Sequence, residues 1–253
     1  MIEVRECRTF EELDACVELQ REAFGYSDLE ISPRRYLILS RRAGGWTLGA
    51  FDHDRLVGFV HHLVAVRGAH EVVGYSHMMA VAQAFQNRGV GARLKWAQRA
   101  RAISEGRSYI TWTWNPMQAR NAHFNLNRLG VTACSYGANF YGTEGSVEEG
   151  DEAARIDSDR LFADWDLQSP RVAALGLGNA APSLPEPAAT IEIPADWNAL
   201  QRHDPSAARR EQERVRHEFQ RAFAARLVCA GFRRDAARPS YLLYLESQIV
   251  NHE

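Results

Sequence analysis

Three apolar, β-branched runs stand in a row between residues 46 and 82: "WTLGAF", "RLVGFVHHLVAV" and "EVVGYSHMMAVA". The first two flank Asp52-His53-Asp54, a hairpin signal. The third leads into Gln86-Asn87-Arg88-Gly89-Val90-Gly91, and a helical pattern follows over "VGARLKWAQRARAISEG" (90–106). An antiparallel run of strands that ends in a glycine turn and a helix leaves few folds open. A helix N-terminus offers unpaired N–H groups and the positive end of a dipole, and glycines let an anion approach the backbone closely. A P-loop would need Lys-Ser/Thr after the second glycine, where Ala92-Arg93 stand. A dinucleotide fold would need G-x-G-x-x-G near the first strand. The turn is therefore a cradle for some other phosphate, or a plain strand-to-helix turn.

The flanking segments extend the pattern. "IEVRECR" (2–8) alternates as a strand. In the helix that follows, Thr9 and Glu12 form a capping box and Gly25 is a stop signal, with Phe10, Leu13, Val17, Ala23 and Phe24 roughly on one side. "SPRRYLILSRRAGG" (32–45) predicts a second helix, capped by Ser32 with Pro33 at its first position. "SYITWTW" (108–114) predicts a strand with Ile110, Trp112 and Trp114 on one face, "MQARNAHFNLNRLG" (117–130) a helix, and "VTACSYGANFYG" another strand. Residues 142–158 read as a loop with an acidic tip at 148–152, and "RLFADWDL" (160–167) as a strand. The proline-bearing stretch 176–189 is the clearest linker. Beyond it lie a short strand, a helix over about 205–230 and two strand candidates.

Q-x-x-G-x-G at Gln86–Gly91 resembles the acyl-CoA-binding motif of the GNAT superfamily of N-acyltransferases. The order β-α-α-β-β-β-α-β-α-β over residues 1 to about 141 is similar to that fold's core. "SHMMAV", "LKWAQRARA", "ITWTWNP", "NAHFNLNRLG", "NFYG" and "DRLFADWDL" resemble segments of the longer, mostly uncharacterised bacterial GNAT proteins with a C-terminal extension. The resemblance implies a mixed α+β fold whose mostly antiparallel sheet splays between strands 4 and 5. It implies an acyltransferase domain at 1–170, a linker at 171–189 and a C-terminal α+β extension at 190–253, which could be a half-GNAT-like unit packed on the first. Acetyl-CoA or another acyl-CoA would be the co-substrate. Met79, Ala80 and Val81 would pair with the pantetheine arm, and Gln86, Asn87, Arg88, Gly89, Val90, Gly91 and Ala92 would hold the pyrophosphate, with Arg93 adding charge. Asn121 and His123 would flank the cofactor. In many relatives a tyrosine four residues before the glycine protonates the leaving thiolate; here that position is Leu126. His77 is the candidate base. Tyr141, and behind it Tyr136, are candidate phenols. The acceptor would be a small amine or amino acid, in a pocket near Tyr26 to Pro33. A non-catalytic acyl-CoA sensor or scaffold with this fold is the alternative.

The formal net charge of −2 argues against bulk binding to nucleic acid or an anionic membrane. The arginines of the 205–230 helix alternate with glutamates, as on a solvated face. No run approaches the roughly 18 apolar residues of a membrane span, and "MIEVRECRTF" lacks an apolar signal core, so a cytoplasmic location is expected. Cys7, Cys16, Cys134 and Cys229 have no zinc spacing and predict buried, reduced thiols. His61 and His62, adjacent on a strand, point to opposite faces, one inward and one outward, and cannot chelate one ion. No metal is expected. A monomer or a homodimer fits equally.

Overall fold

The computed structural model describes residues 2–25, 28–144 and 156–250; Tyr26 and the acidic tip 148–152 lie outside them. Contacts group the chain into two compact units, residues 1–112 and 113–253.

The first unit contains β1 (Ile2–Glu6), α1 (Phe10–Phe24), α2 (Arg34–Arg42), β2 (Trp46–Asp52), β3 (Arg55–Arg67), β4 (Glu71–Val81), α3 (Val90–Ser104) and most of β5 (Tyr109–Trp114). Strand order is β1-β2-β3-β4-β5, with every pair antiparallel except β4 with β5. The capping box forms as its spacing demands: Glu12 N–H donates to Thr9 Oγ1 at 3.2 Å and Thr9 N–H to Glu12 Oε2 at 3.1 Å. Gly25 closes α1 at φ 65°, which glycine adopts without a Cβ penalty.

Both faces of this sheet are covered. Leu13, Cys16 and Leu19 of α1 and Leu37 of α2 pack on Phe51, Phe59 and Ala80; Val90 and Leu94 of α3 pack on Trp46, Leu48, Val57 and Val60. This corrects the reading of the histidine pair. His61 and His62 do face opposite ways, yet both are fully buried, because each face meets a helix. Three other expectations shift. Phe10 is exposed, beneath the Arg34 guanidinium, and the buried stripe of α1 runs through Cys16 and Gln20 instead. Pro33, not Ser32, is the N-cap of α2; the Ser32 backbone N–H and C=O are both taken by the Gln20 amide. Cys134 is exposed, whereas Cys7, Cys16 and Cys229 are buried.

The second unit contains α4 (Ala119–His123), β6 (Tyr136–Gly137), β7 (Thr143–Glu144), β8 (Ile156–Asp157), β9 (Arg160–Asp166), α5 (Pro170–Gly176), β10 (Ala189–Glu192), α6 (Trp197–His203), α7 (Pro205–Ala224), β11 (Leu227–Arg233), β12 (Ser240–Leu245) and α8 (Glu246–Val250). Residues 124–128 continue α4 as one π-helical turn. The expected strand over 131–142 shrinks to β6 and two isolated bridges, at Thr132 and Ala133. The expected 205–230 helix ends at Ala224, where Arg226 (φ 57°) turns the chain into β11. β10, β12 and β11 form an antiparallel sheet. Tyr241 is its buried centre: its hydroxyl donates to Pro116 O at 2.7 Å and its ring packs edge-on against Phe219 of α7.

Candidate active site

β4 and β5 share only two register pairs, Gly74 with Ile110 and Tyr75 with Thr111. Past them β4 runs on to Val81, paired with β3 alone. Alternate backbone N–H and C=O groups of residues 76–81 therefore face a gap that β5 does not fill. At the head of the gap the β3–β4 register jumps: His61 faces Met78, His62 faces Ser76, and His77 is the extra residue. Such a bulge bends the strand and re-aims its side chains. His77 and Met78 accordingly both turn to the α1–α2 side, while Ser76 and Met79 turn to α3.

The glycine turn closes the other end. Gln86 Nε2 donates to Val81 O at 3.1 Å, tying the turn to the end of β4. Asn87 (φ 60°) and Gly89 (φ 81°) are left-handed, and Gly89 caps α3 with no side chain on its N–H groups. No acidic residue sits in the first turn, so the N–H groups of Val90, Gly91 and Ala92 start a helix whose positive end is unopposed. A Cβ on Gly91 would meet Met79 Cε at 3.5 Å, ordinary contact. Arg88 is exposed beside Phe85, and Arg93 donates to Ile2 O at 3.3 Å. Met79 and Val81 are half-buried and Ala80 is buried.

His77 is solvent-exposed on one side and flanked by two rings on the other: Tyr36 of α2 at 5.5 Å and His61 at 5.9 Å between centroids. Partial burial lowers its pKa below 6.5, so it is a neutral acceptor at pH 7. His61 bonds Thr47 Oγ1 through Nδ1 at 2.8 Å, leaves Nε2 without a partner, and is pushed down to about 3 by burial and by His77. Tyr36 was not among the residues the sequence singled out. Its phenol is held above its usual pKa by burial and stays protonated. Its signal was the spacing of Tyr36, Leu37 and Ser40, one inward helix face.

In the second unit, Asn121 is exposed and His123 half-buried, its Nδ1 unpartnered and its pKa lowered by burial and by the charges of Arg234 and Arg128. Leu126 is fully buried in the π-turn, and its carbonyl accepts from Arg171 at 3.0 Å. Tyr141 is exposed, its hydroxyl 3.3 Å from Thr113 Oγ1 and its ring under Arg160. Tyr136 is committed elsewhere: its hydroxyl donates to buried Asp159 at 2.6 Å, which Arg216 also grips through two nitrogens. Burial and that carboxylate drive its pKa far up. Among the described residues no group of three His, Cys, Asp or Glu could hold a metal, and no helix is long and apolar enough to cross a membrane.

A sheet open between β4 and β5, with no side-chain cap on the helix N-terminus at the end of β4, matches the GNAT fold. Residues 13–130 are similar to the acetyltransferase (GNAT) family, whose family model they match. Three solved structures share the fold at low identity. The ribosomal-protein-S18-alanine N-acetyltransferase from Escherichia coli is 12% identical, with TM-score 0.52 over 67% of this chain and 96% of its own. An N-acetyltransferase from Staphylococcus aureus Mu50 is 11% identical, TM-score 0.52, over 66% and 99%. A chain of the NatC complex bound to Gag peptide and CoA is 14% identical, TM-score 0.50, over 65% and 98%. Among curated proteins the sequence finds no match.

Proposed function

We propose that the chain is an acyl-CoA-dependent N-acyltransferase, with acetyl-CoA as donor and a small-molecule amine or amino acid as acceptor. The observation that carries this reading is the coincidence, in one unit, of the β4–β5 gap, the bulge at His77 and the uncapped N-terminus of α3. The gap suits a pantetheine arm that hydrogen-bonds to β4 as an added strand would. The N–H groups of Val90, Gly91 and Ala92 suit a pyrophosphate, and exposed Arg88 supplies nearby positive charge. The bulge at His77 supports a place for that side chain beside the head of such an arm.

The reaction follows from these parts. The amine nitrogen attacks the thioester carbon. His77, neutral at pH 7, takes the proton that nitrogen must lose, directly or through one water. As the tetrahedral intermediate collapses, the C–S bond breaks and the thiolate takes a proton from a phenol. Tyr136 is set aside as that phenol because Asp159 and the surrounding core hold it. Residues 1–170 would carry the reaction, and 190–253 would form an extension beyond the linker 171–189.

One observation favours a second reading. Leu126 is fully buried where many relatives carry the acidic tyrosine, so the chain could bind acyl-CoA without turning it over. Incubation with acetyl-CoA and a panel of amines, amino acids and N-terminal peptides, followed through free thiol, separates the two. Turnover of a small amine supports the proposal. Turnover of peptides alone moves the acceptor class to proteins, and tight binding without turnover selects the sensor.

A further inference from the structure

Lys95 is the only lysine among the 30 basic residues of the chain. It is also 2% exposed, on α3 beneath the sheet. Lysine carries a compact ammonium on a flexible stem, where arginine carries a planar five-donor fork. Burial lowers the Lys95 pKa well below 10.5.

Its contacts locate it at a fork. Nζ donates to Ser76 Oγ at 3.0 Å and lies 3.6 Å from the centre of the Trp112 ring. Ser76 is the first residue of β4 past its last pair with β5, and Trp112 is the first of β5 past the same pair, Tyr75 with Thr111. Lys95 thus touches both strands at the step where they part. Nζ also donates to Gln98 Oε1 at 2.8 Å, and the Gln98 amide bonds His62 Nδ1 at 3.2 Å. Lys95 and Gln98 are three apart on one helix face. His62 is the register partner of Ser76. The side chains of Ser76, Lys95, Gln98 and His62 therefore form a ring closed by a strand pair, and His77, the bulged residue, is the next residue along.

We propose that Lys95 is a positioning residue for acyl transfer: a wedge that fixes where β4 and β5 separate and, through Ser76, the bulge that aims His77. The role in acyl transfer rests on the function proposed above; the wedge itself does not. Lys95 touches no substrate. Removing it lets the fork slip and turns His77 away from the head of the gap, while the pyrophosphate turn, four to nine residues back at Gln86–Gly91, keeps its own geometry.

The test uses Lys95→Met, which keeps the stem and loses the polar head, and Ser76→Ala, which breaks the same contact from β4 with a smaller change. For each, acetyl-CoA affinity, kcat, and the titration midpoint of His77 by NMR are measured. Both variants should keep acetyl-CoA affinity within about threefold, lower kcat by on the order of tenfold or more, and move the His77 midpoint by about half a pH unit. The double variant should be no worse than Lys95→Met, since one contact is broken twice. If Lys95→Met does not fold, Ser76→Ala alone carries the test. Wild-type kcat and an unmoved His77 midpoint in Ser76→Ala would overturn the proposal, as would losses in the double variant that simply add. The NMR midpoint needs no turnover. In a protein that transfers no acyl group, the function proposed above fails, while a moved midpoint still supports the wedge and an unmoved one refutes it.

Discussion

The imidazole of His62 lies flat on the indole of Trp46, ring centroids 4.1 Å apart and planes 4° from parallel. On the other face of the sheet, His61 is bonded to Thr47, the residue after Trp46. Both imidazoles are fully buried, and burial brings each pKa to about 3. The unfolded chain binds these protons near pH 6.5, and the folded chain does not until near pH 3. Stability is therefore full above pH 6.5 and falls as pH drops through that window, by roughly 1.4 kcal/mol per pH unit per histidine. Urea unfolding at pH 7 and pH 5 should show a clearly lower midpoint at pH 5, and His62→Phe should flatten the slope. A midpoint independent of pH between 7 and 5 would contradict the burial of this pair.

Arg216 holds two carboxylates, Asp157 at 2.6 Å and fully buried Asp159 at 2.8 Å. Asp159 also accepts from Tyr136 and from the Asn139 N–H. Arg216→Ala would leave the Asp159 charge in the core, at a cost of about 3–5 kcal/mol. Tyr136→Phe removes one bond among several and should cost about 1 kcal/mol. Denaturant titration of the two variants checks the ranking, and an Arg216→Ala loss as small as that of Tyr136→Phe would rule out a buried charge pair.

Gly91 offers a cleaner probe of the turn than Gly89. Gly89 is at φ 81°, so any side chain there strains the backbone whatever the ligand does. Gly91 has no such constraint and room for a Cβ. Glutamate near a helix N-terminus favours the helix, yet repels a phosphate. Gly91→Glu should keep the melting temperature and lose acetyl-CoA binding by at least an order of magnitude, read by calorimetry. Unchanged affinity would remove the turn from the cofactor site.

If His77 takes the amine's proton and does not hold the arm, as proposed, His77→Gln should lower kcat by about 10²–10⁴-fold while acetyl-CoA affinity stays near that of the parent. The pH profile of kcat/KM should lose its acidic limb, which falls below 6.5 in the parent. A rate loss matched by an equal loss of affinity would make His77 a binding residue.

Local chemistry was legible where one segment decides the outcome. Thr9 with Glu12, Gly25, and the meander ending in the Gly89–Gly91 turn could be read because each depends on its own few residues. What escaped depends on a second segment. The period of a strand shows that His61 and His62 point apart, and not that a helix covers each face. The bulge at His77 is a property of the β3–β4 register. Lys95 looks like any surface basic residue until Ser76, Gln98 and Trp112 close around it. Tyr136 looks like a candidate acid until Asp159, itself held by Arg216, claims its hydroxyl.

If the gap between β4 and β5 and the α3 turn serve acyl transfer from CoA to an amine, thiol release must depend on both. Steady-state thiol release from acetyl-CoA with a panel of small amines, run beside Gly91→Glu and His77→Gln, tests this directly. The predicted result is amine-dependent release by the parent protein, none by Gly91→Glu for want of binding, and release slowed by His77→Gln despite normal binding. Release by the parent protein that does not depend on any amine, or equal release by all three proteins, would contradict it.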